Sequence, residues 1–341
     1  YDLIAPIARG PMSDVWRARH NVTQAEVALK LMAGDPSSTG EAIERFQREA
    51  RSASRVNHPA IVQVFDAGVT GAGERLLALE LLQGDNLQQL MDTDRLSVAD
   101  GVQIFVQMLE PLAAVHDAGL VHRDLKPANV FVVGTGSERQ VRLMDFGLVR
   151  EVDNPGLTGT ESTFGTPYYM SPEQVTNPST TLAAADVWSL GVILYELLSG
   201  QLPFQGESAH SIVVKACTEQ HRAVKEAAPW VPDELADVVE RCLGKDPLAR
   251  PTDARQLALQ LAQACEAPAV DRALRQAPKN SGTAPVADTL LASPGPAVPS
   301  VHLPSAEETR RAVLKTALLF VVVGSLLAFA AWHWAQGAHR E

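Results

Sequence analysis

Ten residues, VHRDLKPANV at 121–130, crowd Arg123, Asp124, Lys126 and the amide of Asn129 between apolar neighbours. A solvated loop has no need of Asp124, Lys126 and Asn129 at spacings of two and then three. Further on, a second apolar stretch, LMDFG at 143–147, ends in an acid at Asp145. Near the start, AEVALKLM at 25–32 reads as a strand with Lys30 alone on the side opposite its apolar neighbours. Carboxylates, lysines and an amide are the residue types that hold charge and move protons. Upstream again, IARGPMSDV at 7–15 is either a plain turn between two strands or a phosphate-binding loop with few of its glycines. Taken alone, that stretch leaves both readings open.

The elements that must position these groups follow from periodicity. Loop 121–130 comes after a predicted helix over 98–117, which Ser97 caps and Gly119 stops; Pro111 inside it predicts a bend. Residues 41–56 predict another helix, with Ile43, Phe46, Ala50 and Ala53 on one buried face. Glu49 borders that face, where a carboxylate is costly unless paired.

Composition excludes other classes. With 341 residues, 46 % of them hydrophobic, the chain has material for a large core. A net charge of −11 and no basic stripe argue against a nucleic-acid partner. Cys217, Cys242 and Cys265 stand far apart and predict reduced, packed thiols, and the histidines show no zinc-ligand spacing. From residue 266 to 312 prolines recur among Ala, Ser and Thr, predicting a flexible, disordered linker. It ends in TALLFVVVGSLLAFAAWHWA, 316–335, free of Asp, Glu, Lys and Arg and long enough to cross a hydrocarbon core. Arg310, Arg311 and Lys315 precede it and only Arg340 follows among such residues, which places the N-terminal part in the cytoplasm. Gly324 and Ala328 form a small-xxx-small pair through which two such helices pack, so a homodimer is one partner expected. The chain opens at Tyr1 without a methionine, which reads as a trimmed N-terminus.

HRDLKPAN together with DFG, the VALK strand and a later SPE resembles the eukaryotic-type protein kinases, in their bacterial, membrane-anchored serine/threonine form. The resemblance covers residues 1 to about 265, with five motifs in the right order. It implies an α+β, two-lobed fold: a small β-rich lobe over 1–82, a larger helical lobe over 83–265, and ATP between them. A linker (266–312), one transmembrane helix (313–335) and a short outer tail (336–341) complete the expected chain, a single-pass protein of the inner membrane.

Carried over residue by residue, the resemblance has Lys30 hold the α- and β-phosphates of ATP and pair with Glu49. Asp145 binds Mg²⁺, for which Mn²⁺ substitutes, and Asn129 a second such ion. Asp124 accepts the proton of the substrate hydroxyl, and Lys126 neutralises charge on the transferring phosphoryl. Lys126 and Thr166 are the features expected of kinases acting on Ser or Thr of proteins. Glu173 of the docking turn GTPYYMSPE pairs with buried Arg250, and Asp186 of ADVWSLG supports the catalytic loop through its backbone. Ile7, Ala8, Gly10, Ser13 and Val15 fall on the glycine-rich loop, with Ala8 and Ser13 replacing its outer glycines and Pro11 removing an N–H. Leu79 and Leu82 border the adenine pocket, with Ile7, Val15 and Ala28 packing on the base.

Residues 148–167 carry Thr158, Thr160, Ser162 and Thr163 and resemble an activation segment, a phosphate on which pairs with Arg123. Two other functions compete. One is a pseudokinase scaffold that holds nucleotide with little turnover, supported only by the irregular glycine loop. The other is a small-molecule kinase of related fold, against which the SPE turn, DVWSLG and Arg250 speak.

Overall fold

A computed structural model describes residues 1–10, 13–32, 50, 56–70, 73–93, 95–145, 167–177 and 181–277. The N-terminal lobe is an antiparallel sheet of β1 (Asp2–Arg9), β2 (Ser13–Arg19), β3 (Glu26–Met32), β4 (Val64–Val69) and β5 (Arg75–Leu79), in the order β1-β2-β3-β5-β4. Alternation sorts its side chains. Ala18, Val27, Leu29 and Ala78 bury themselves together on one side. In the register, Val15 opposes Lys30, Lys30 opposes Leu77, and Ala28 opposes Leu79. Directly opposed residues share a face, so Val15, Ala28, Lys30, Leu77 and Leu79 line the other side.

The larger lobe opens with a small sheet of β6 (Asp85–Asn86), β7 (Val130–Val133) and β8 (Gln140–Leu143). Its helices are α1 (Leu87–Asp92), α2 (Val98–Asp117), α3 (Pro172–Thr176), α4 (Ala183–Ser199), α5 (Ala209–Thr218), α6 (Val224–Ala227), α7 (Asp233–Cys242), α8 (Ala254–Cys265) and α9 (Pro268–Gln276). Every residue of α4 from Ala184 to Leu198 is buried, which fits a sequence apolar nearly all round. Its Gly191 lets α7 come close: a Cβ there would stand 2.6 Å from Cβ of Cys242. In α2 the Ser97 hydroxyl accepts from Asp100 N–H at 3.1 Å, and Pro111 lies buried inside the helix without ending it. Among the described residues, α2 is the one helix long and apolar enough to cross a membrane, yet its apolar face belongs to the core.

One expectation is corrected. Residues 266–277 are not linker, because α9 follows α8 at once and buries Val270 in the main core. Pro268 stands in the first turn of α9, where a missing N–H costs no helical hydrogen bond, so counting prolines misread it. The rest of the expected linker, the span at 313–335 and the tail lie outside the described residues. Of the helix expected over 41–56, only Ala50 and Val56 are described; Ala50 is helical and buried in the main core.

Candidate active site

The geometry is built from three backbone ties. Val62 N–H donates to Leu143 carbonyl (2.9 Å) and Leu143 N–H to Ala60 carbonyl (2.8 Å), fastening β8 to the segment that leads into β4. Met144 N–H donates to Asn129 carbonyl at 3.0 Å, setting the end of loop 121–130 beside the residue that precedes Asp145. The β7–β8 hairpin thereby carries Asn129 at its entrance and Asp145 at its exit.

The side chains then meet. Lys30 Nζ lies 2.7 Å from Asp145 Oδ2, both largely covered. Asp145 itself has φ +56°, a left-handed conformation unusual for a residue with a side chain. Asn129 Nδ2 donates to the Asp124 carbonyl (2.7 Å) and to Asp124 Oδ2 (3.0 Å), while Lys126 Nζ lies 3.1 Å from the same Oδ2. Two acids, two lysines and an amide from three separate stretches of chain thus form two clusters, joined through the Met144–Asn129 tie. Glu49, Thr158, Thr160, Ser162, Thr163 and Thr166 lie outside the described residues.

Asp186, at the head of α4 and almost fully buried, holds the loop from behind. Its Oδ2 accepts from His122 N–H at 2.7 Å and its Oδ1 from Arg123 N–H at 2.9 Å. Arg123 is left-handed, with φ +65°, so this carboxylate fixes a strained residue next to Asp124. His122 Nε2 donates to the Met144 carbonyl at 3.1 Å, linking the loop once more to the Asp145 strand.

The hairpin of β1 and β2 spans the IARGPMSDV stretch. Ala8 opposes Val15, Gly10 N–H donates to Ser13 carbonyl at 3.0 Å, and Ile7 falls in a bulge that leaves it 52 % exposed. Val15 opposes Lys30 directly, so the second strand of the hairpin sets Val15 beside the lysine on one face of the sheet. Leu79 is buried in the main core and Leu82 packs partly against it.

Below the loop, Arg250 makes a two-pronged pair with Glu173, Nη1 to Oε1 at 2.7 Å and Nη2 to Oε2 at 2.9 Å. The guanidinium also donates to the carbonyls of Gly244 (2.7 Å), Ala184 (3.0 Å) and Lys245 (3.2 Å), and lies over the Trp188 ring.

Two participants escaped the sequence reading. His116 Nε2 donates to Asp186 Oδ2 at 2.9 Å while its Nδ1 accepts from Ala254 N–H at 3.1 Å, so one ring joins α2, α4 and α8. Tyr169 OH donates to Glu196 Oε2 at 2.7 Å, and Ser189 Oγ donates to the Tyr169 carbonyl at 2.7 Å, anchoring segment 167–171 on α4. Burial pushes the Glu196 carboxyl up to about 7, with the Tyr169 hydrogen bond pulling the other way. No local pattern marks these residues, since each partner lies far away in sequence.

Comparison with known proteins agrees with this architecture. The protein kinase domain model matches residues 1–265. The chain is similar to the serine/threonine-protein kinase PkaA of Streptomyces coelicolor, 39 % identical over 267 residues, covering 74 % of this chain and 48 % of that protein. It is 36 % identical over 319 residues to the serine/threonine-protein kinase PknA of Mycobacterium tuberculosis, covering 91 % of this chain and 68 % of PknA. With PrkC of Bacillus subtilis, also a serine/threonine-protein kinase, identity is 31 % over 268 residues, 78 % of this chain and 41 % of PrkC. The chain thus spans about half the length of the first of these relatives.

Proposed function

The chain belongs to the protein kinase family, in its eukaryotic-type bacterial serine/threonine branch, and from that premise we propose that it transfers the γ-phosphoryl of ATP to Ser or Thr hydroxyls of proteins. The observation that carries this reading is the convergence of Lys30, Asp145, Asp124, Lys126 and Asn129. Oxygen donors on Asp145 and Asn129 suit a hard cation such as Mg²⁺, and these two residues would hold it. When bound, Mg²⁺ neutralises charge on the phosphates.

The side chains divide the remaining work. Lys30 moves from Asp145 to the α- and β-phosphates when nucleotide enters, and Glu49 steadies it. Asn129 uses its amide nitrogen on Asp124, which would leave the amide oxygen free to hold a cation. Asp124 orients the incoming hydroxyl and accepts its proton. Lys126, against the same carboxylate, offsets negative charge on the phosphoryl in transit. Asp186 and His116 keep the loop in register, so that the reacting atoms meet in line. Transfer of radiolabel from γ-labelled ATP to a generic protein substrate tests the reading; a chain that binds ATP without transferring label is the pseudokinase scaffold instead.

The glycine loop weakens nucleotide binding without ending catalysis, since the charged groups are complete. The phosphate hydrogen bond lost at Pro11, which has no N–H to give, costs on the order of 1 kcal/mol, and up to about 3 against a charged partner. Restoring both positions, Ala8→Gly with Pro11→Gly, lowers the KM for ATP by about tenfold and leaves kcat nearly unchanged. Steady-state kinetics across ATP concentration reads both numbers, and a collapse of kcat gives the loop some other role.

We infer further that the span at 313–335 holds the protein as a single-pass protein of the inner membrane with the kinase domain in the cytoplasm. Crowding of copies in one membrane raises their effective concentration and favours phosphorylation of one by another. After incubation with Mg-ATP, mass spectrometry is expected to find phosphate on residues 158–163, where it pairs with Arg123 and orders the docking surface. An unmodified segment in an active preparation removes this mode of regulation.

A further inference from the structure

Gln174 belongs to none of the machinery described so far, yet its side-chain amide is used at both ends. Its Oε1 accepts the Ser171 N–H at 3.0 Å, while the Gln174 backbone N–H donates to Ser171 Oγ at 3.4 Å, closing a capping box at the start of α3. That exchange fixes which end of the amide is oxygen, because a flipped amide would set its NH₂ against the Ser171 N–H. Nε2 is thereby turned toward the catalytic loop, where it donates to the Arg123 carbonyl at 2.8 Å. Arg123 is the left-handed residue just before Asp124, and its own N–H is held by Asp186. Its peptide groups are therefore clamped from two directions: Asp186 of α4 on the N–H, Gln174 of α3 on the carbonyl.

We propose that Gln174 is a positioning residue for phosphoryl transfer, tying the segment that carries Glu173 to the strained backbone beside Asp124. The carbonyl it holds belongs to the peptide that links Arg123 to Asp124, so losing the tie frees rotation where the proton acceptor is aimed. An error of that kind lowers the chemical step more than nucleotide binding. The inference rests on the kinase reading above.

Gln174→Glu separates the two ends of the amide. A glutamate serves a capping box as well as glutamine, so α3 keeps its start, but the second oxygen now faces the Arg123 carbonyl with no hydrogen to give. At pH 8 kcat is expected to fall about tenfold, with KM for ATP changed by less than about twofold and the melting temperature nearly unmoved. Protonating the new carboxyl restores a donor, so the ratio of variant to wild-type kcat climbs as pH falls toward 6. The ionisable neighbours, namely Arg123, Asp124 and Lys126 on the loop, Glu173 on α3 and Asp186 on α4, are common to both proteins and cancel in that ratio. Gln174→Met keeps the length without donor or acceptor; it is expected to lose a similar factor with a flat ratio across pH, and it carries the test should the glutamate variant fold poorly. Variants at wild-type kcat, or a loss appearing only in melting temperature, overturn the positioning role and leave the kinase reading intact. A wild-type chain that transfers no label overturns that reading and this role with it.

Discussion

Replacing Asp124 by asparagine is expected to lower kcat by about 10²–10⁴-fold, the usual contribution of a general base, while ATP affinity stays close to that of the wild type. The substitution is informative because the site holds still around it. Asp124 Oδ2 accepts from Asn129 Nδ2 at 3.0 Å, and an asparagine oxygen accepts the same bond. The backbone carbonyl that receives the other Asn129 hydrogen is unchanged. What disappears is the negative charge facing Lys126 and, in the proposed mechanism, the lone pair that takes the substrate proton. Radiolabel transfer gives kcat, and titration with a fluorescent ATP analogue gives affinity. A loss below about tenfold denies Asp124 the role of base and moves that work to solvent.

The second large effect is on stability. Arg250→Met is expected to cost about 3–5 kcal/mol, because it strands the carboxylate of Glu173 in a nearly closed site. The Arg250 side chain has no exposed surface and Glu173 only 16 %, so water cannot replace the lost partner fully. The same change leaves the carbonyls of Gly244, Ala184 and Lys245 without their donor. In a domain of this size the melting temperature should drop by roughly 6–20 °C. Arg250→Met combined with Glu173→Leu removes both charges and is expected to recover part of the loss, since well-packed apolar pairs often equal a buried ion pair. Denaturant melts of the three proteins decide it: a loss under about 1 kcal/mol for Arg250→Met means that Glu173 finds another partner or reaches solvent.

Much of this was readable in the chain because its signals are local. The alternation of EVALKLM is a strand whatever surrounds it, and the Lys30 side chain must leave the face that Val27 and Leu29 bury. Ser97 and Gly119 bound α2 through hydrogen bonds made within a turn. The loop 121–130 betrays itself by the density of charge between apolar residues. Where composition alone was used, the reading failed: prolines suggested linker from residue 266, but the helix Pro268–Gln276 presents an apolar side chain, Val270, that the core accepts.

Other features are decided only by tertiary contact. His116 acquires its place because α4 and α8 present a carboxylate and an N–H to opposite nitrogens of one ring. Tyr169 and Glu196 pair across 27 positions of chain, and Gln174 reaches Arg123 across 51. The meeting of Lys30 with Asp145 depends on β8 being fastened to residues 60–62, an interaction between two stretches with no shared periodicity. The physical reason is range. Propensity, alternation and capping act over a few residues and survive in the sequence as pattern, whereas a buried hydrogen bond between distant side chains is selected by the space that packing leaves, and that space exists only once the lobes have folded.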